Sequence, residues 1–151
     1  MKDKKQVKVY AFISGDLFHY NHLRFLQNCR KLGDYLVVGV VPTSVVEQYK
    51  RRPIIAEKER VAIVKGLKCV DEVVMHDVLN PLPIIKQVKP DIIVHGNDWK
   101  KMPFQKEIKA MGIKVVFPQY LKGVTTTKII QKILRERKPA DKKDEAHFVE
   151  K

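Results

Sequence analysis

Five short apolar runs, each followed by a stretch with helical spacing, set the frame of this chain. Residues 7–13, 35–41, 71–75, 91–95 and 114–118 read as strands. Two of them, around 36–41 and 92–94, are almost continuously apolar, the pattern of a strand covered on both faces. Between them the spacing predicts helices near 21–32, 57–67, 83–88 and 104–111, with a last one near 125–137. In the first, Phe25, Cys29 and Leu32 follow helical spacing, Leu23 and Leu26 flank the same side, and Gly33 closes it.

Such alternation predicts an α/β fold: a Rossmann-like, doubly wound, five-stranded parallel sheet in a single domain. Its ligands would sit at the carboxyl ends of the strands. With 151 residues, 44% of them hydrophobic, the chain can bury one core. Residues 1–137 read as the folded domain. Residues 138–151 lack a packing face and read as a charged, mobile tail.

No apolar run approaches the ~20 residues that cross a bilayer, and no small-residue cleavage site follows the N-terminus. Cys29 and Cys69 lack metal-type spacing and read as reduced, packed thiols of a cytoplasmic protein. The formal charge of +13 asks for an anionic partner. The lysines are scattered along helix faces, as at Lys106, Lys109, Lys128 and Lys132, with no aromatic interleaving. That distribution favours small polyanions over nucleic acid, and nothing in the pattern implies a membrane.

The chemistry-bearing residues fall at strand ends. Ser14, Gly15 and Asp16 form a turn after the first strand, and Gly15 removes a side chain that would obstruct a ligand. His19 and His22 follow, at the start of the first helix, where free N–H groups and the helix dipole suit a phosphate chain. Asp16 reads as a partner for a histidine, as a cap for a backbone donor, or simply as a turn former. No carboxylate or third ligand stands at a spacing that would make the histidines a metal site.

Lys50 and Arg51 sit on a basic loop stiffened by Pro53, and Arg60 on the helix after it could return to the same site. Arginine forks grip phosphate bidentately, while lysine acts as a mobile point charge. Gly96 lets the chain turn after the fourth strand, and Asn97 and Asp98 offer groups to a base, a ribose or a metal-bound water. Trp99 fits a ligand wall and a plug of the sheet edge equally well. Lys122, Gly123, Thr125, Thr126 and Thr127 precede or open the last helix; Thr125 is a natural N-cap, and three hydroxyls there make a phosphate cradle.

As a set, from about residue 7 to about 134, these features resemble the cytidylyltransferase family within the HxGH nucleotidyltransferases. His19 and His22 match the two motif histidines, Arg51 the basic-loop position and Arg60 the following helix arginine. The run from Lys122 to Thr127 is similar to the family's Glu-Gly-Ile-Ser-Thr-Thr signature. The resemblance implies attack of a phosphate or phosphonate oxygen on the α-phosphorus of CTP, with release of pyrophosphate. His19, His22, Lys50 and Arg51 would be the catalytic set. Ser14, Gly15, Asp16, Arg60, Gly96, Asp98, Tyr120, Lys122, Gly123 and Thr125 to Thr127 would bind nucleotide. It also implies Mg2+ accompanying CTP, and a homodimer.

The chain departs from the pattern at four places. Asn21 replaces the glycine before the second histidine and would narrow the phosphate approach. Ser14-Gly15 replaces a Thr-Phe pair, Tyr120 an arginine, and Lys122 a glutamate. These leave the acceptor open. Glycerol-3-phosphate cytidylyltransferases place a lysine after the third strand that has no match here, whereas the Tyr and Lys substitutions look like phosphonate-pathway cytidylyltransferase domains. Two alternatives stand beside the leading expectation. One is an adenylyltransferase of the same fold, resembling an FAD synthase; the other is a catalytically reduced module that binds nucleotide or nucleic acid.

Overall fold

In the computed structural model, which describes residues 5–96, 102–119 and 121–136, five parallel strands form one sheet. The strands are β1 (Lys8–Ile13), β2 (Tyr35–Val40), β3 (Glu72–Met75), β4 (Ile92–Val94) and β5 (Lys114–Val116), in spatial order β3-β2-β1-β4-β5. The chain therefore winds outward from β1 to β3 and then returns to β1's other side for β4 and β5. That reversal places the topological switch point between the carboxyl ends of β1 and β4. The anticipated doubly wound parallel sheet is the one observed. Its strands are shorter than the apolar runs, because Val41 and His95 continue the pairing only through single bonds to Ile13 and Val116.

Side-chain alternation divides the core in two. Val9, Ala11, Leu36, Val38, Val40 and Val94 face α1 (Tyr20–Arg30) and α3 (Glu57–Lys65), packing with Leu26, Cys29 and Val64. Tyr10, Val37 and Ile93 point the opposite way, against Ile85 and Val88 of α4 (Leu82–Val88) and Ile108 of α5 (Gln105–Ala110). Each such aliphatic side chain removed from water contributes about 1.5–3 kcal/mol, so this two-sided burial holds the strand ends in fixed register. A short α2 (Thr43–Val46) packs Val45 and Val46 with Val41 and Val78. The last helix, α6 (Thr126–Glu136), buries no side chain fully. Among the described residues, no helix is long and apolar enough to cross a membrane.

One polar pair lies inside the core. The Tyr10 hydroxyl reaches Nδ1 of His76, which follows β3, and passes over Gly39 of β2. A Cβ at Gly39 would lie 2.5 Å from the Tyr10 oxygen and 2.7 Å from Cβ of His76, so a side chain cannot fit there. Phe12 stacks on the His76 ring at 4.0 Å and meets His95 edge-on at 5.4 Å.

Candidate active site

The turn after β1 is built from two left-handed residues around one carboxylate. Gly15 (φ 70°) and Leu17 (φ 45°) flank Asp16. Leucine in that region costs on the order of 1 kcal/mol, and the surrounding bonds hold it there. Asp16, only 6% exposed, accepts from the N–H groups of Leu17, Ile54 and Ile55 at 3.1, 2.9 and 2.9 Å, and from Arg51 at 3.1 Å. Burial alone would raise its pKa. The bonds from Ile55 and Ile54, with the Arg51 hydrogen bond and charge, outweigh burial and bring it below the usual carboxylate range. Asp16 thus ties the basic loop to the turn instead of orienting a histidine.

His19 is the N-cap of α1, in extended conformation. Its N–H donates to Nδ1 of His22 at 3.3 Å, and the two rings stack 3.9 Å apart. An accepting Nδ1 carries no proton, so neutral His22 keeps its proton on Nε2. Burial lowers the pKa of His19 and favours its neutral form. Its Nδ1 is shut off from solvent, with no hydrogen-bond partner among the described residues. Phe18 supports the pair, its ring 5.3 Å from that of His22.

These histidines open onto a cavity of about 750 Å³ at the switch point, within the usual range for small-molecule sites. Ser14, Asp16, His19 and His22 line one side, and Gly96 the end of β4. Lys50 and Arg51 line the rim of the basic loop, and Thr125, Thr126 and Thr127 the start of α6. Thr125 caps α6 by accepting the Lys128 N–H at 3.1 Å, and the Thr126 hydroxyl donates to the Asp16 carbonyl at 3.1 Å. One chamber therefore holds two imidazoles, a helix N-terminus with three hydroxyls, and two cationic side chains. Phe12, Ile13, Phe25, Val46 and Pro118 add an apolar wall to the chemistry-bearing residues. An apolar side chain at a strand end gives no signal in sequence that it faces a ligand.

Arg60 is placed differently from the expectation. It is fully buried and does not line the cavity. Its guanidinium donates to the carbonyls of Ser14, Val41 (2.9 Å) and Ile55 (3.3 Å) and to the Thr43 hydroxyl (2.9 Å). It returns to the turn, as anticipated, but from beneath, with its donors spent on three backbone carbonyls and the Thr43 hydroxyl. Gly15, Lys122 and Gly123 also lie outside the lining. Asp98 and Tyr120, with Asn97 and Trp99, lie outside the described residues, as does the segment 138–151. Asn21, read as an obstruction, lines the cavity and also donates to the loop before α6.

The sequence profile of the cytidylyltransferase-like family matches residues 14–132, from the turn after β1 into α6. The chain is 37% identical over 139 residues to the bifunctional protein HldE of Citrifermentans bemidjiense, covering 88% of this chain and 28% of that protein. The HldE of Helicobacter hepaticus is 36% identical over 143 residues, 91% of this chain and 29% of that one. The chain thus spans little more than a quarter of these curated relatives. A lipopolysaccharide core biosynthesis protein from Thermoplasma volcanium superposes with a TM-score of 0.71 at 32% identity, over 78% of this chain and all of that one.

Proposed function

Because this chain belongs to the cytidylyltransferase-like family, we propose that it transfers a nucleoside monophosphate from a triphosphate to a small phosphate-bearing acceptor, releasing pyrophosphate. The observation that carries the reading is the convergence of His19 and His22 with the N-terminus of α6 on one cavity. An oxygen of the acceptor's phosphate or phosphonate attacks the α-phosphorus. The new P–O bond forms as the bond to the β-phosphate oxygen breaks, and pyrophosphate leaves with that electron pair.

Nothing on the protein needs to become covalently attached. The two imidazole N–H groups and the α6 N-terminus stabilise charge that grows on the phosphoryl oxygens. Lys50 and Arg51, on the opposite rim, neutralise the leaving pyrophosphate, Arg51 exchanging its Asp16 partner for phosphate. Mg2+ would travel with the triphosphate, held by phosphate oxygens and water. Among the described residues no three His, Cys, Asp or Glu side chains are grouped to hold an ion.

CTP is the nucleotide that the family's name supports. ATP is the second reading, that of an adenylyltransferase on the same fold. The likeness to a lipopolysaccharide core biosynthesis protein supports a phosphorylated polyhydroxy acceptor, alongside the phosphonates and polyol or ethanolamine phosphates that the sequence leaves open. Pyrophosphate release should be measured with Mg2+, CTP or ATP, and a panel of sugar phosphates, glycerol phosphate, ethanolamine phosphate and simple phosphonates. Release with one nucleotide and one acceptor class establishes the reaction. Binding of nucleotide without release across the panel overturns transfer and leaves a binding module.

A further inference from the structure

Position 21 lies between the two histidines, where the motif has glycine, and its side chain does not point into empty space. The Asn21 amide nitrogen lies 3.1, 3.3 and 2.8 Å from the carbonyls of Leu121, Lys122 and Val124. Its two hydrogens are shared among three acceptors, and that surrounding fixes the amide: the flipped form would set its own oxygen against three carbonyls. The remaining carbonyl of the loop, on Gly123, accepts from the Lys128 ammonium at 2.9 Å. All four carbonyls between 121 and 124 are thus taken up by side chains of α1 and α6.

We propose that Asn21 is a positioning residue, a clasp that holds residues 121–124 against the histidine corner and so sets the nucleotide site before any ligand arrives. Peptide planarity gives the clasp a second effect. Each N–H points opposite to the preceding carbonyl, so turning the carbonyls of 121, 122 and 124 toward Asn21 turns the N–H groups of Lys122, Gly123 and Thr125 away from it. None of these three N–H groups has a hydrogen-bond partner among the described residues. The loop is left with a face of backbone donors, suited to the acceptor atoms of a nucleotide. Leu121, Val124 and Thr125 of the same loop line the cavity, so its placement sets the width of the site. A glycine at 21 would open the phosphate approach and release the loop at the same time.

The kinetic part of the test rests on the nucleotidyltransferase reading, and the structural part does not. Asn21→Gly restores the motif residue, Asn21→Ala removes the amide without the helix cost of glycine, and Asn21→Asp keeps the shape but sets a carboxylate against the carbonyls. Tryptic cleavage after Lys122, followed by mass spectrometry on the unliganded protein, should be about tenfold faster in all three than in wild type. In pyrophosphate release, KM for the nucleotide should rise about tenfold, with kcat changing far less. Unchanged cleavage in Asn21→Ala, or a lower KM in Asn21→Gly, would overturn the clasp and restore Asn21 as an obstruction. If wild type releases no pyrophosphate, the functional reading fails while the cleavage rates still decide the clasp.

Discussion

The hydroxyl of Tyr10 donates to Nδ1 of His76 across the whole width of β2, which passes beneath the bond at Gly39. Burial pushes the Tyr10 phenol far above its ordinary pKa, so it stays protonated and is the donor. His76 must therefore accept at Nδ1 and carry its proton at Nε2, an atom with no partner among the described residues. Burial holds the pKa of His76 down to about 3; Asp77 acts against this and His95 with it. The pair locks the end of β3 to β1 beneath the cavity floor.

This pair sets a pH dependence of stability. The folded pKa of His76 lies below its unfolded value, so between about 6.5 and 3 the unfolded chain binds the extra proton and stability falls as pH drops. The slope approaches 1.4 kcal/mol per pH unit, or about 2 kcal/mol lost between pH 7 and pH 5. Urea unfolding at the two pH values should show this loss in wild type and a shallower one in His76→Asn. His19, also held below its ordinary pKa, adds a smaller contribution of the same sign to both proteins.

Asp16 behaves as a carboxylate with a depressed pKa. Its contribution is fully present above the unfolded value of about 3.9 and is lost as pH falls through the folded one. Asp16→Asn should lower stability by about 1–3 kcal/mol at pH 7, because an amide cannot satisfy three backbone donors and Arg51 together. The gap between variant and wild type in urea should narrow below pH 4. A gap of constant size would mean that the charge contributes nothing.

Arg60 distinguishes a scaffold from a phosphate contact. Arg60→Met fills similar volume but leaves the carbonyls of Ser14, Val41 and Ile55 without their donor. The expected cost is about 3–5 kcal/mol, read as a large drop in the thermal midpoint. A residue that only gripped triphosphate would instead raise KM and leave the midpoint in place.

His22 is the reverse case. His22→Ala removes the Nε2 donor from the cavity while the sheet keeps its packing. Pyrophosphate release should fall at least ~100-fold, with the thermal midpoint shifted by no more than ~2 °C. Retained turnover would remove the residue from the chemistry.

The sheet was legible because its central strands are covered on both sides, which leaves runs such as 36–41 with no polar interruption to misread. Element ends were less so: Val41 and His95 look like strand in composition, but each extends the pairing by a single backbone bond, to Ile13 and Val116. His19, His22 and the Thr125 cap could be placed because their roles depend on neighbours three residues away along the helix. Arg60 could not, since residue type reveals a charge but not the carbonyls that consume its donors. The bonds of Asn21 were hidden for a related reason: its acceptors lie 100 to 103 residues further along the chain.

Asp16 joins the turn after β1 to Ile54 and Ile55 through its carboxylate, and to Thr126, 110 positions later, through its carbonyl. Such separations impose an order on folding. β1 pairs with β2 from 27 positions away and with β4 from 83, and the cradle closes over the longest span, when the beginning of α6 comes back onto the β1 turn from 110 positions away. A chain stopping before α6 would hold a formed sheet without the α6 wall of the cavity. During refolding, regain of activity would lag behind regain of secondary structure, with the interval measuring the return of α6.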